Sequence, residues 1–237
     1  MSFLLNRRAK PAPEPIVISA ARPALQFRPA LARRSGGIYR RSLKRALDLC
    51  LITVAAPIVV PVIGVLALLV AAQGGKPFYV QDRVGLEGRV FRMWKLRSMV
   101  PGADARLQDH LDADPAAREE WDLAQKLRCD PRITRLGLAL RRYSLDELPQ
   151  LWNVVLGDMS LVGPRPMMPC QQDIYPGLAY YRLQPGITGT WQVSERNDSS
   201  FAERARYDRE YDRDLSLVTD LSILVQTVGV VARATGR

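Results

Sequence analysis

The longest uncharged run in the chain, LCLITVAAPIVVPVIGVLALLVAA from Leu49 to Ala72, constrains its fold more than any other feature. As one helix rising about 1.5 Å per residue, it is long enough to cross a hydrocarbon core of roughly 30 Å. Two features oppose a simple crossing. Arg40, Arg41, Lys44 and Arg45 precede the run, and Lys76, Arg83, Arg89 and Arg92 follow it, so the positive-inside preference draws both ends to the cytoplasmic side. Pro57 and Pro61 lie near its middle, where each removes a helical hydrogen bond and crowds the turn before it. Each arm would then hold about 12 residues, or roughly 18 Å, too short to cross. The expectation is a re-entrant helix-break-helix over residues 41–75, with a single-pass anchor as the alternative. Backbone groups loosened at that depth need polar partners, and Thr53 is a nearby candidate.

The formal charge of +10 would fit a nucleic-acid binder if it were spread over a folded surface. It is not. Residues 1–45 hold eleven Lys or Arg against one acid, Glu14, and the remainder carries 23 of each sign. A basic tail rich in Pro, Ala and Arg, set just before an apolar segment, fits attraction to anionic membrane lipids, and no nucleic-acid partner is expected. Residues 1–40 read as this tail, expected to be disordered. The apolar stretch FLL before Arg7 and Arg8 is too short for a secretory signal, so no export is expected. Cys50, Cys129 and Cys170 are widely spaced, which implies neither a disulfide framework nor a zinc site. His110 is the one histidine and lies in a polar stretch, which argues against histidine-based catalysis.

Residues 76–237 read as one mixed domain. KPFYVQDRVGLEGRVFRMWKLRSM alternates apolar and polar residues around Gly85 and Gly88, the pattern of a β-hairpin ending in the basic pair Lys95 and Arg97. Pro101 to Lys126 reads as a polar, solvated excursion with helical patches. DPRITRLGLALRRYSLDEL places an amphipathic helix with Arg141 and Arg142 at its end. Pro164, Pro166 and Pro169 break regular structure and hold Arg165 between two of them. PGITGTWQVSERND is expected to be a loop around a short strand. Ser200 and Glu203 match a capping box before a charged helix. Leu217, Leu221, Leu224, Val228 and Val231 form one apolar stripe, and Asp220 makes the last helix one that packs or lies on a surface.

Between these elements, YSLDELPQLWNVV places Asp146 beside Glu147. Ser144 and Glu147 fit a capping box, with Leu145, Leu148, Leu151, Trp152 and Val155 as the expected buried face of the following helix. Capping leaves Asp146 unexplained. An ionised aspartate can attack phosphorus, while an adjacent glutamate can hold a magnesium ion that offsets phosphate charge. Residues adjacent on a helix point about 100° apart, so two such acids can serve different partners. Arg165, Arg141, Lys95 and Arg97 supply cations for phosphate oxygens. For any one arginine alone, a surface ion pair is the simpler reading.

KRALDLCLITVAAPIVVPVIG, QDRVGLEGRVFRMWKLRSM, the DPRITRLGLALRRYSLDELPQLWNVVLGDMSLVGPRP block and PGITGTWQVSERND follow one another as in the bacterial sugar transferases. From about Lys44 onward the chain resembles this family, the monotopic polyprenyl-phosphate hexose-1-phosphate transferases. The resemblance implies an α+β fold: a re-entrant helix kinked at Pro61, a cytoplasmic domain of helices with a short β-hairpin, and amphipathic interfacial helices. It implies an inner-membrane enzyme, catalytic domain on the cytoplasmic face, that moves a sugar 1-phosphate from a UDP-sugar to undecaprenyl phosphate and releases UMP. Asp146 is then the nucleophile and Glu147 the Mg2+ ligand. Lys95, Arg97 and Arg165 hold phosphate, Arg141 supports the acid pair, and Gln192 and Arg196 complete the substrate site. The GTWQVSERND segment looks more like relatives handling glucose or galactose.

Two departures stand out: Val60 where many relatives have Ser before the kinking proline, and Glu195 where relatives often have Gly. The multi-helix N-terminal region of larger relatives is not present in this sequence. A non-enzymatic scaffold at the membrane surface is an alternative function, and a glycosyltransferase releasing UDP is another. A homo-oligomer is compatible with these residues.

Overall fold

The computed structural model describes residues 37–124, 127, 129–194 and 201–233. Most of the expected basic tail, together with Glu195, Arg196 and Ser200, lies outside the described residues. After a wide π-helical turn at Tyr39–Leu43, helix α1 runs through Lys44–Ala71 as a single element with Pro57 and Pro61 inside it. The apolar run is thus not divided into two separate helices. The Thr53 hydroxyl donates to Leu49 O at 2.8 Å, one turn back, and does not serve the carbonyls that the prolines leave without donors.

Both ends of α1 dock on the same body. At the start, Lys44 Nζ lies 2.6 Å from Asp220 Oδ2 and 3.0 Å from the Tyr211 hydroxyl. Arg45 donates to the carbonyls of Val154 and Val155, and Asp48 accepts from Ser160 Oγ at 2.7 Å. At the far end, Val70 is buried against Leu96 and Leu140, and Arg97 donates to the carbonyls of Val70 and Gly74. Between these anchors Val54, Ile58, Val60, Val65 and Leu68 are exposed.

Strands β1 (Phe78–Val84) and β2 (Val90–Leu96) form the expected antiparallel hairpin, with Phe78 opposite Leu96 and Val84 opposite Val90. The turn between them uses left-handed backbone at Glu87 and Gly88. Side chains alternate along a strand, so Lys95 continues the inward face of Phe91 and Met93. Those two pack with Val154 and Met159, and burying each contributes about 1.5–3 kcal/mol. Helices α2 (Ala103–Ala113) and α3 (Pro115–Ala124) fill the polar excursion.

Helix α4 (Arg135–Arg142) starts at Thr134, whose hydroxyl accepts from Gly137 N at 2.8 Å, a regular N-cap. A Cβ on Gly137 would overlap the Ser98 carbonyl, so glycine lets α4 approach the end of the hairpin. Helix α5 (Gln150–Leu156) leads into β3 (Ser160–Val162), which pairs in parallel with β4 (Gly186–Thr188). Gly186 is required there, because a Cβ would overlap Gly163 N. Short α6 (Thr190–Ser194), then α7 (Arg204–Asp214) and α8 (Leu217–Ala232), complete the described chain. Glu203 stands at the N-cap of α7, and the capping box expected between it and Ser200 lies outside the described residues.

On two helices a polar residue faces inward and apolar residues face outward. On α5 the buried residues are Gln150, Asn153 and Val154, whereas Trp152, Val155 and Leu156 face outward. Asn153 is enclosed because its amide joins Trp94 N and Arg92 O. On α8 the acid Asp220 is buried with Ile223, while Leu217, Val218, Leu221, Val225 and Val228 are exposed. Asp220 is drawn inside by Lys44 and by the hydroxyls of Tyr39 and Tyr211.

Candidate active site

The acid pair sits in a short 3-10 turn, Leu145–Glu147, between α4 and α5. Ser144 takes left-handed backbone at φ 55° and its side chain caps no following amide. The expected capping box is therefore not formed. Instead the reversal at Ser144 turns the chain so that Asp146 is buried, at 7% exposure, with Glu147 half-buried beside it. A left-handed non-glycine residue costs roughly 1–3 kcal/mol, and such strain concentrates at functional sites.

Cations from three separate elements surround this turn. Lys95, from β2, places Nζ 2.9 Å from Glu147 Oε1. Arg165, from the segment after β3, reaches the same oxygen at 3.5 Å. Arg141, from the last turn of α4, is held by its Nε bond to Ser98 Oγ at 2.9 Å. Burial pushes the Asp146 carboxyl above the usual range, Lys95 pulls it down, Glu147 raises it, and Arg141 and Arg165 lower it again. Burial likewise lowers Arg141, opposed first by Asp146. The two acids thus have different surroundings: Glu147 is directly ion-paired, and Asp146 is buried within reach of the positive charges.

Of the residues expected to bind substrate, Lys95, Arg141 and Arg165 converge on the acid pair. Arg97 does not join them, because its guanidinium is committed to the C-terminal carbonyls of α1. Gln192 is buried behind the β3–β4 pair, where Nε2 donates to Ile187 O at 3.2 Å and Oε1 has no hydrogen-bond partner. Arg196 lies outside the described residues. Pro61 is within α1, between its two docked ends.

Sequence reasoning missed Arg83 and Arg204. Arg83, on β1, donates to Gln81 Oε1 and to Pro166 O next to Arg165. Arg204, at the start of α7, lies over the rings of Trp191 and Phe201 at 4.1 and 4.8 Å. Arg83 comes to the site through Pro166, 83 positions away, and Arg204 by sharing a cavity wall with Arg165, so no local pattern marks them.

Among the described residues no three His, Cys, Asp or Glu side chains gather as a ready-made metal cage. Mg2+ characteristically binds through one or two carboxylates completed by substrate phosphates, and Asp146 with Glu147 supplies a donor set of that kind.

A profile described as bacterial sugar transferase matches residues 39–234. A UDP-galactose-lipid carrier transferase of Erwinia amylovora is 46% identical over 198 residues, 83% of this chain and 42% of that protein. The exopolysaccharide production protein ExoY of Sinorhizobium fredii is 40% identical over 206 residues, 86% of this chain and 90% of that protein. An undecaprenyl-phosphate galactose phosphotransferase of Salmonella typhimurium is 40% identical over 214 residues, 90% of this chain and 44% of that protein. The chain thus spans less than half of the first and third of these relatives and most of the second. With the profile covering the long helix, the acid pair and everything between α1 and α8, the chain belongs to the bacterial sugar transferase family.

Proposed function

We propose that this chain transfers a hexose 1-phosphate, from UDP-glucose or UDP-galactose, to undecaprenyl phosphate. The observation that carries the reading is the buried Asp146 beside the ion-paired Glu147, ringed by Lys95, Arg141 and Arg165. An Asp146 carboxylate oxygen attacks the sugar-bearing phosphorus, and the bond from that phosphorus to the bridging oxygen breaks. UMP leaves with that electron pair, giving an aspartyl phosphosugar. A phosphate oxygen of the lipid then attacks the same phosphorus and expels the Asp146 carboxylate. Lys95 and Arg165 orient the phosphates and neutralise their charge, and Lys95 first, then Arg141, oppose the rise that burial imposes on the Asp146 carboxyl. Glu147, with Asp146 beside it, would hold Mg2+, which supplies further charge neutralisation on the phosphates.

The acceptor requires a site at the headgroup plane. Docking of both α1 ends on one body supports a re-entrant path, since a crossing helix would separate its ends by a hydrocarbon core of about 30 Å. The outward apolar faces of α5 and α8 support a body resting on lipid, where such faces are covered. Basic residues at both ends of the run favour the cytoplasmic face.

The test is nucleotide release by detergent-solubilised protein with Mg2+ and UDP-glucose or UDP-galactose, with and without undecaprenyl phosphate. Lipid-dependent UMP is the expected product. UDP would make the protein a glycosyltransferase, and no nucleotide from any UDP-sugar would leave a membrane-surface scaffold.

A further inference from the structure

A wall of arginine stands next to the acid pair and is more positive than the carboxylates near it can balance. Arg165 and Arg204 line one cavity, with Met167, Tyr175, Trp191 and Asp208 among its other walls. Arg83 reaches this wall from behind, through its bond to Pro166 O beside Arg165. Neither Arg83 nor Arg204 forms an ion pair with a carboxylate among the described residues. The Nε atoms of both are buried without a hydrogen-bond partner. Glu147, which meets Arg165, is shared with Lys95. The Asp208 carboxylate is occupied by the Tyr175 hydroxyl at 2.5 Å.

Packing these charges together is unfavourable without an anion. Burial first, and then the charge of Arg165, lower the Arg83 guanidinium to about 10. Arg204 is likewise lowered to about 10, first by burial and then by Arg165, with Asp208 opposing the effect and Arg83 adding to it. A buried cation without an ion-paired carboxylate is costly, and a phosphate dianion presents the oxygens that several guanidinium forks can share.

We infer that Arg165 and Arg204, with Arg83 behind them, form a receiving pocket for a phosphate monoester, distinct from the phosphorus that Asp146 attacks and opening beside it. The inference rests on the sugar-phosphate transfer reading and deepens it. Two molecules in that reaction carry the required chemistry: the UMP leaving group and the lipid phosphate acceptor. Arg165 joins the pocket to the acid pair, so a phosphate held there lies close to the reacting centre. Trp191, stacked on Arg204, reports its occupancy.

The test titrates full-length protein in detergent micelles with inorganic phosphate, UMP or undecaprenyl phosphate, following tryptophan fluorescence and, in parallel, heat of binding. Arg204→Gln should weaken phosphate-ester binding roughly tenfold or more, the loss typical of a charged hydrogen bond, and Arg83→Gln, behind the wall, should weaken it less. Arg204→Lys should fall between, because it keeps charge and loses the fork. Trp191→Phe should remove the optical change and keep the heat. Loss confined to UMP assigns the pocket to the donor nucleotide, and loss confined to undecaprenyl phosphate assigns it to the acceptor. Wild-type affinities in folded Arg204→Gln and Arg204→Lys would overturn the pocket, as would a wild-type chain that binds none of the three probes. UMP release from a UDP-sugar, measured on the same wild-type preparation, judges the transferase reading separately. Release with unchanged Arg204→Gln binding removes only the pocket. Weakened binding without release removes only the transferase.

Discussion

Lys95 and Glu147, 52 positions apart, meet at 2.9 Å with both side chains largely enclosed. The contact joins the inward face of a β-hairpin to a strained turn between two helices. It holds Glu147 directly and leaves Asp146 within the field of the same lysine. That division gives the two adjacent acids separate roles.

Asp146→Asn should reduce turnover on the order of 10^3-fold or more while leaving the unfolding temperature nearly unchanged, since the amide is close in shape and a poor nucleophile. Intact-mass analysis with donor alone should show a phosphosugar adduct on the wild type and none on the variant. Because burial raises the Asp146 carboxyl above its ordinary 3.8, the acid limb of the activity profile should lie above pH 3.8. Substantial activity in the variant would remove Asp146 as nucleophile.

Arg97→Gln and Arg165→Gln should separate cleanly. Arg97 satisfies carbonyls at the end of α1, so its loss should lower stability by about 1–2 kcal/mol, read as a lower unfolding temperature. Arg165 faces Glu147, so its loss should chiefly raise KM for the UDP-sugar. The reverse pattern would return Arg97 to the substrate site.

Lys44→Met should destabilise the protein by roughly 3–5 kcal/mol, because it leaves the Asp220 carboxylate buried without its cation. Adding Asp220→Leu should recover much of that loss. Equal losses in the single and double variants would show that the ion pair is not what couples α1 to α8.

Asp208 should impose a pH slope on stability. Burial raises its carboxyl to about 7, against the pull of the Tyr175 hydrogen bond and the Arg204 charge. Between pH 3.8 and about 7 the folded chain then holds a proton that the unfolded chain has released. Stability should therefore fall as pH rises through that window, by up to about 1.4 kcal/mol per pH unit, and level off above it. Asp208→Asn should flatten the slope in denaturation series at pH 5 to 8, and matching slopes would show that Asp208 titrates normally.

Local chemistry in the sequence determined the apolar run, the hairpin around Gly85 and Gly88, the helix ending in Arg141 and Arg142, and the adjacency of Asp146 and Glu147. Periodicity and turn residues act over a few positions, so these features are legible without tertiary contacts. Tertiary structure decided which side of each helix faces inward. Spacing groups Leu217, Leu221 and Val228 on α8, yet it cannot say that Asp220 is the buried residue, because that depends on Lys44 from 176 positions away. The same holds for α5, where Asn153 is drawn in by β2 and Trp152 is left outside. Tertiary structure also sorted the cations, sending Lys95, Arg141 and Arg165 to the acids, Arg97 to a helix end, and Arg83 and Arg204 to the neighbouring wall. A long basic side chain goes to whichever buried anion or carbonyl its backbone position allows it to reach, and only the folded chain fixes those distances.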